Sequence, residues 1–265
     1  MPTYKNIRGY LSNWSDVDFA AGINKYYELQ KPKNAEWLRL TNAVIEAQGL
    51  THRKMDGTCS QGLKTQEGRS HVSFSKVFHE GINSDFFTPA TYVADMVKTS
   101  MEAGLSEADT VTEVGRALRA LPSFLREMDL GYSVTGLLWT SGCNTALESD
   151  PEIDSHEKTD ALLHVDGHDY RLWSYMVTDR SLENLRQRLM GKRGKLPAGR
   201  HVLCPHQSNY KTANPNELHG WKLYRERDVK AIADLILSGA KPISYAALLH
   251  DMDELVTKPT LFEVR

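Results

Sequence analysis

Thr159–Val177 reads TDALLHVDGHDYRLWSYMV. Two apolar runs, Thr159–Val165 and Tyr170–Val177, flank Asp166–Asp169 (DGHD). Asp-Gly between such runs predicts a β-hairpin. The pattern then changes. Ser181–Met190 has helical spacing, Gly191–Arg200 (GKRGKLPAGR) is a cationic loop, and His201–Pro205 (HVLCP) reads as another buried strand. Asp160 stands at the head of the first strand. A carboxylate at a strand mouth beside a basic loop suggests phosphate chemistry on a nucleic acid.

Upstream of the hairpin, Leu130–Trp139 (LGYSVTGLLW) also reads as a buried strand, and Ser141–Ser155 as a polar, acidic loop. Ser106–Leu121 has a helical stripe of Val111, Val114, Leu118 and Leu121, bent or restarted at Pro122. A helix is expected from Pro89, a good first-turn residue, with Tyr92, Val93, Met96 and Val97 inward. Thr51–Phe87 reads as a long loop or boundary, with a possible strand at His71–Phe78. In the N-terminal part, Ser15 or Asp16 caps an expected helix carrying Val17, Ala20, Ile23, Tyr27 and Leu29. Asn34 caps a second, stopped by Gly49.

Downstream, Asp228–Ser238 carries Val229, Ile232, Leu235 and Ile236 and ends at Gly239. Ser244 caps a further helix with Leu248, Leu249, Met252, Leu255 and Val256 at helical spacing. The order from Ser106 onward is helix, three strands, helix, strand, then helices. It predicts an α/β (α+β) fold with a small mixed central sheet flanked by helices. The expected division is a helical N-terminal region at 1–105 and an α/β core with C-terminal helices at 106–265.

Composition limits the function classes. The chain has 265 residues, enough for one large or two small domains. A net charge of −2 excludes a wholesale basic coat, so an anionic ligand must meet a local patch. Three widely spaced cysteines, Cys59, Cys143 and Cys204, do not form a disulfide framework and are expected as reduced thiols. No N-terminal run resembles a signal peptide, and none is apolar enough to span a bilayer. The expectation is a cytoplasmic protein with no membrane partner. No P-loop or dinucleotide fingerprint is present, which disfavours nucleotide-driven or nicotinamide chemistry.

The order of elements over Ser106–Gln207 resembles the restriction-endonuclease-like, or PD-(D/E)XK, nuclease superfamily. The residues that carry the resemblance are Glu113 in the leading helix, Asp160 at the start of the second strand, and the hairpin TDALLHVDGHDYRLWSYMV. The resemblance implies that Glu113 and Asp160 hold Mg²⁺. It also implies an acid, one residue, then lysine on the next strand. That strand reads Tyr170-Arg171-Leu172-Trp173-Ser174-Tyr175-Met176, with no such motif. Lys158 is the candidate substitute, because residues two apart on a strand share a face.

The chemistry explains why those residue types matter. Phosphodiester hydrolysis needs a cation to offset charge on the phosphoryl oxygens and a source of hydroxide. Mg²⁺ takes carboxylates, waters and phosphate oxygens. Lys192, Arg193, Lys195 and Arg200 are the candidate phosphate contacts, in a loop freed by Gly191, Gly194 and Gly199. Glu157 and Asp166 are further acidic candidates, although an Asp-Gly turn alone explains Asp166. Trp173 and Tyr175 share a face with Arg171, either as core or as a base-stacking surface. His201, Cys204 and His206 have zinc-ligand types, but His201 and Cys204 project to opposite strand faces.

The primary expectation is a Mg²⁺-dependent DNA nuclease using Asp160, Glu113 and Lys158. The rival is a nuclease-like binding subunit without hydrolytic activity, in a larger defence or mobile-element complex or a homo-oligomer. A third reading is a small-molecule enzyme using the His-rich segments.

Overall fold

The computed structural model describes residues 74–82, 89–149, 159–191, 195–207 and 223–265. The two helices expected between Ser15 and Gly49, Lys158, Glu157 and the loop residues Lys192 and Arg193 lie outside them. The chain forms two compact units. One comprises Met1–Asn6, Arg126–Ala213 and Leu223–Arg265; the other comprises Ile7–Leu125 and Asn214–Lys222. The division falls inside a helix, between Leu125 and Arg126.

The described part of the second unit is helical: α1 (Phe74–Ile82), α2 (Pro89–Glu102) and the first half of α3 (Glu107–Thr140). Tyr92, Val93, Met96 and Val97 of α2 are buried, as their spacing predicts. Phe78 of α1 is stacked on Phe124, with ring centroids 5.1 Å apart. Of the strand expected at His71–Phe78, the described residues 74–78 are not extended. Phe74–Ile82 is helix, with Val77 and Phe78 adjacent on its buried side.

The first unit is built on a six-stranded mixed sheet of order β1-β2-β3-β4-β6-β5. Its strands are β1 (Thr145–Glu148), β2 (Ala161–Val165), β3 (His168–Val177), β4 (Gly199–Gln207), β5 (Ile243–Ser244) and β6 (Thr260–Val264). β1, β2 and β3 form an antiparallel meander. Asp166 (φ 49°) and Gly167 (φ 80°) make the tight turn between β2 and β3, both in the left-handed region. α4 (Asp179–Leu189) then carries the chain back, and β4 adds parallel to β3. Thr178 caps α4 by accepting from Ser181 N. α5 (Glu226–Leu237), α6 (Tyr245–His250) and α7 (Met252–Leu255) complete the unit. Ser244 caps α6 by accepting from Ala247 N, as its position predicts.

Both sheet faces are covered. Leu163, Tyr170, Leu172, Val202 and Cys204 pack against Leu130, Val134 and Leu138 of α3 and Val229, Ile232 and Ile236 of α5. On the other side Trp173, Tyr175, Leu203 and Phe262 meet Leu185 and Leu189 of α4, Leu248 of α6, Met252 of α7 and Val256. Each such side chain contributes roughly 1.5–3 kcal/mol when fully buried.

Two sequence expectations are corrected in this unit. Leu130–Trp139 is not a strand but the end of α3, which runs through Pro122 to Thr140. Its inward residues, Leu130, Val134 and Leu138, are four apart, the helical period. The first strand is instead Thr145–Glu148, within the segment read as loop. Gly131 permits close approach here, since a Cβ on it would lie 2.9 Å from Leu147 Cδ2. The expected count of three strands before the helix therefore stands, with a different first strand.

Gly167→Ala is expected to destabilise the first unit by about 1 kcal/mol, because alanine resists the positive φ of the turn. A urea titration followed by tryptophan fluorescence reads the shift in midpoint; an unchanged midpoint would show that the turn does not hold the hairpin register.

Candidate functional site

Asp160 immediately precedes β2, opposite the C-terminal half of β3. Its backbone N–H donates to Leu172 O at 3.1 Å, which extends the ladder by one bond beyond Ala161. Its carboxylate Oδ2 accepts the backbone N–H of Ser174 at 2.6 Å. Thr159, buried next to it, donates its hydroxyl to Leu172 O at 2.5 Å. Asp160 is thus fixed by the strand beside it, through a charge-assisted hydrogen bond to the backbone.

A buried polar network continues from that point. Ser174 Oγ lies 3.0 Å from Tyr224 OH. Tyr224 OH donates to Cys204 O, so Ser174 is the donor to the phenol. Burial pushes the Tyr224 phenol above its ordinary range, with the nearby Cys204 acting in the same direction. Ser174 and the buried guanidinium of Arg126 pull the other way. His206 donates from Nε2 to Leu223 O at 2.9 Å and meets the Tyr224 ring edge-on. The Cys204 thiol is pushed far above its ordinary range, first by burial and then by the Asp160 charge. A thiol so disfavoured as thiolate is not a nucleophile. This network holds the strand ends together and keeps Tyr224 protonated.

The expected site residues fall in different places. Glu113 is buried, 1% exposed, on α3 within the helical unit. Asp160 belongs to the sheet unit. Among the described residues no group of three or more His, Cys, Asp and Glu side chains is arranged to hold a metal ion. Asp166 accepts Asn144 N at 2.8 Å and shapes the hairpin turn. Lys195 is exposed on the segment leading into β4. Arg200 projects to the side of Tyr170, donating to its hydroxyl at 3.0 Å with the guanidinium 5.5 Å from the ring centre.

Where the described end of the basic loop enters β4, it is not beside Asp160. Register pairs Tyr170 with Arg200 and Ser174 with Cys204 on the parallel strands. Asp160 meets β3 at Ser174, and the loop enters β4 near Tyr170. Four residues of strand separate them, about 13 Å.

The histidines also have structural partners. His201 Nδ1 accepts the Trp173 indole N–H at 3.1 Å, and its Nε2 donates to Pro197 O at 2.9 Å. Its ring stacks on Phe262, 4.9 Å between centroids. His164 lies 2.7 Å from Asp169 and 3.2 Å from Glu148, tying β2 to both neighbours. Zinc and small-molecule chemistry would both have to displace these contacts.

Sequence reasoning missed Arg126, Ser174 and Tyr224. Arg126 and Tyr224 are buried and Ser174 half-buried through packing of segments distant in sequence, and no local motif marks it. No family model matches the chain, and no curated protein or solved structure matches it. No described helix is long and apolar enough to cross a membrane.

Cys143, half-buried after α3, has its thiol pKa raised by desolvation and then by a hydrogen bond to Asp166 and that carboxylate's charge. Removing the charge lowers the thiol pKa, so more thiolate is present at a given pH. Asp166→Asn should therefore alkylate faster at Cys143 with iodoacetamide near pH 8. A rate equal to the parent's would mean that the carboxylate does not govern the thiol.

Proposed function

We propose that this chain is a nucleic-acid-binding subunit with a nuclease-like core that does not hydrolyse its ligand. The observation that carries this reading is the use made of β3. The β2–β3 ladder ends with Ala161 against Leu172, and just beyond it on β3, on either side of the Ser174 N–H that Asp160 accepts, stand Trp173 and Tyr175. These positions share a strand face, as the acid and lysine of a PD-(D/E)XK site must. Trp173 is 2% exposed and packs beneath α4, and Tyr175 donates its hydroxyl to Val256 O at 2.7 Å. Neither side chain can bind a metal-bound water or stabilise charge on a phosphate.

The element order supports the nuclease-like core. A long helix precedes an antiparallel three-strand meander, and a helix then leads to a strand parallel to the third. This is the order on which the resemblance rests. Asp160, retained at its expected position, serves this core as a backbone clamp. The metal-dependent nuclease remains the second reading, favoured by the rigidly held Asp160 at the head of β2. It would need a second carboxylate from outside the described residues or from Glu113 in the other unit, so no catalytic step is derived for it.

The full chain should bind duplex DNA with an affinity that falls at least about tenfold between about 50 and about 200 mM salt, as phosphate contacts require. It should leave the DNA intact with Mg²⁺ or Mn²⁺. Fluorescence anisotropy and a gel cleavage assay read the two outcomes. Metal-dependent cleavage that Asp160→Ala abolishes would overturn the binding-only reading in favour of the nuclease. Absence of binding at the lower salt would overturn both.

A further inference from the structure

We infer that the Trp173–His201–Pro197 chain is a proton-sensitive latch, closed on a neutral imidazole and opened by acid, that governs how the α4–β4 connection is held to the sheet. The latch is a property of the fold and is independent of the ligand that the protein binds. An indole N–H can only donate, and a peptide carbonyl can only accept. The Trp173 indole N–H is 3.1 Å from His201 Nδ1, and the Pro197 carbonyl is 2.9 Å from His201 Nε2. Nδ1 must therefore carry the lone pair and Nε2 the proton. One neutral tautomer makes both bonds, and the other makes neither.

Protonation of Nδ1 sets two N–H groups head to head across that 3.1 Å. The ring has no better orientation to adopt. His201 is 0% exposed, and its ring is stacked on Phe262 with 4.9 Å between centroids. A half-turn of the ring brings up a C–H where the acceptor stood, and an imidazolium has no acceptor on either nitrogen. Either the imidazole stays neutral or the latch opens.

The charges placed around the ring favour the neutral form. Arg171 is the register partner of His201 on β3, and Arg188 of α4 lies over the Trp173 ring with Cζ 4.7 Å from its centroid. Cations beside an imidazole disfavour the imidazolium. On the β6 side the neighbour behind Phe262 is the Tyr245 phenol, which burial raises further above its ordinary range. The carboxylates of the surrounding elements have other partners. Glu183 of α4 accepts from Gln187, and Asp253 and Glu254 of α7 pair with Arg186 and Lys258. Glu263 of β6 pairs with Arg265 and falls on the opposite face, in register with Arg200.

The direction with pH follows from which form binds the proton. An opened latch exposes an ordinary imidazole, which takes up a proton below about pH 6.5. The closed latch excludes that proton. Its stability is therefore fully present above this value and is lost as the pH falls, by up to about tenfold in the opening equilibrium per pH unit. With the ring displaced, Pro197 loses its donor as well, so acid loosens the connection that carries Lys195.

The test compares the full chain with His201→Gln, whose amide accepts at one atom and donates at the other without titrating. Urea unfolding is followed by tryptophan fluorescence at about pH 7.5 and about pH 5.5, on either side of the ordinary imidazole value. Between them the folding equilibrium constant of the parent should fall about tenfold more than that of His201→Gln, since the other titrating groups contribute to both. Equal falls overturn the latch. If His201→Gln does not fold, nitrogen NMR of the parent carries the test, with the His201 ring identified by its Overhauser contacts to Phe262. The folded chain at the lower pH should keep the neutral Nε2–H tautomer, and the Trp173 indole and Leu196 amide signals should weaken together as the pH falls. A protonated His201 ring with an unmoved Trp173 indole signal overturns the proposal. Loss of the indole signal with Leu196 unchanged also overturns it, because the connection would then be held independently of the latch.

Discussion

β3 is buried on both faces, and this constraint governs what the sheet unit can do. Tyr170 and Leu172 face α3 and α5, while Trp173 and Tyr175 face α4 and α7. The Trp173 indole N–H needs a partner once buried, and His201 Nδ1 supplies it from the parallel neighbour. His201 in turn donates to Pro197 and stacks on Phe262, so one side chain joins β3, β4, β6 and the α4–β4 connection. Losing the acceptor would leave a buried donor unsatisfied, at a cost of about 1–3 kcal/mol. A strand committed in this way contributes packing through Tyr170, Leu172, Trp173 and Tyr175.

The polar network at the other end follows from the same commitment. Ser174 lies between Trp173 and Tyr175, and its N–H beyond the β2 ladder would lack a strand partner without Asp160. The carboxylate supplies the acceptor. The hydroxyl of Ser174 passes to Tyr224, and Tyr224 passes to the carbonyl of Cys204. A buried polar chain of this kind is favourable when its members are paired, and it restricts the sheet to one register. Asp160 at a strand mouth therefore has a sufficient structural role, whatever ligand the protein binds.

Much of the sheet unit was legible in the sequence because its signals are local. The Asp-Gly turn, the Ser244 cap and the alternation in Tyr170–Val177 each report a backbone preference that the fold respects. Leu130–Trp139 was not legible. A continuous apolar run with valine, threonine and aromatic residues fits a buried strand as well as a buried helix, and only packing on the sheet chooses the four-residue spacing of Leu130, Val134 and Leu138. β1 is four residues long and stands in a polar stretch, so it carries little period of its own. The site was less legible than the fold. Asp160 was recognisable as a strand-head acid, but its distance from the basic loop depends on the register of a parallel pair, which no local pattern encodes. The burial of Arg126 and Tyr224 is likewise a tertiary outcome.

A nuclease would need its carboxylates and its phosphate-binding cations at one end of β3. Catalysis on a phosphodiester needs the scissile phosphate within direct reach of the carboxylates, because Coulombic and coordination effects act over a few ångströms. Binding has no such requirement, since phosphates recur along a duplex and any of them can meet a cation. About 13 Å of strand separates Ser174, where Asp160 is clamped, from Tyr170, where the cationic connection enters the sheet. Trp173 and Tyr175, on either side of Ser174, are committed to packing and to the bond with Val256 O, so the Asp160 end of β3 offers no further polar side chain on that face.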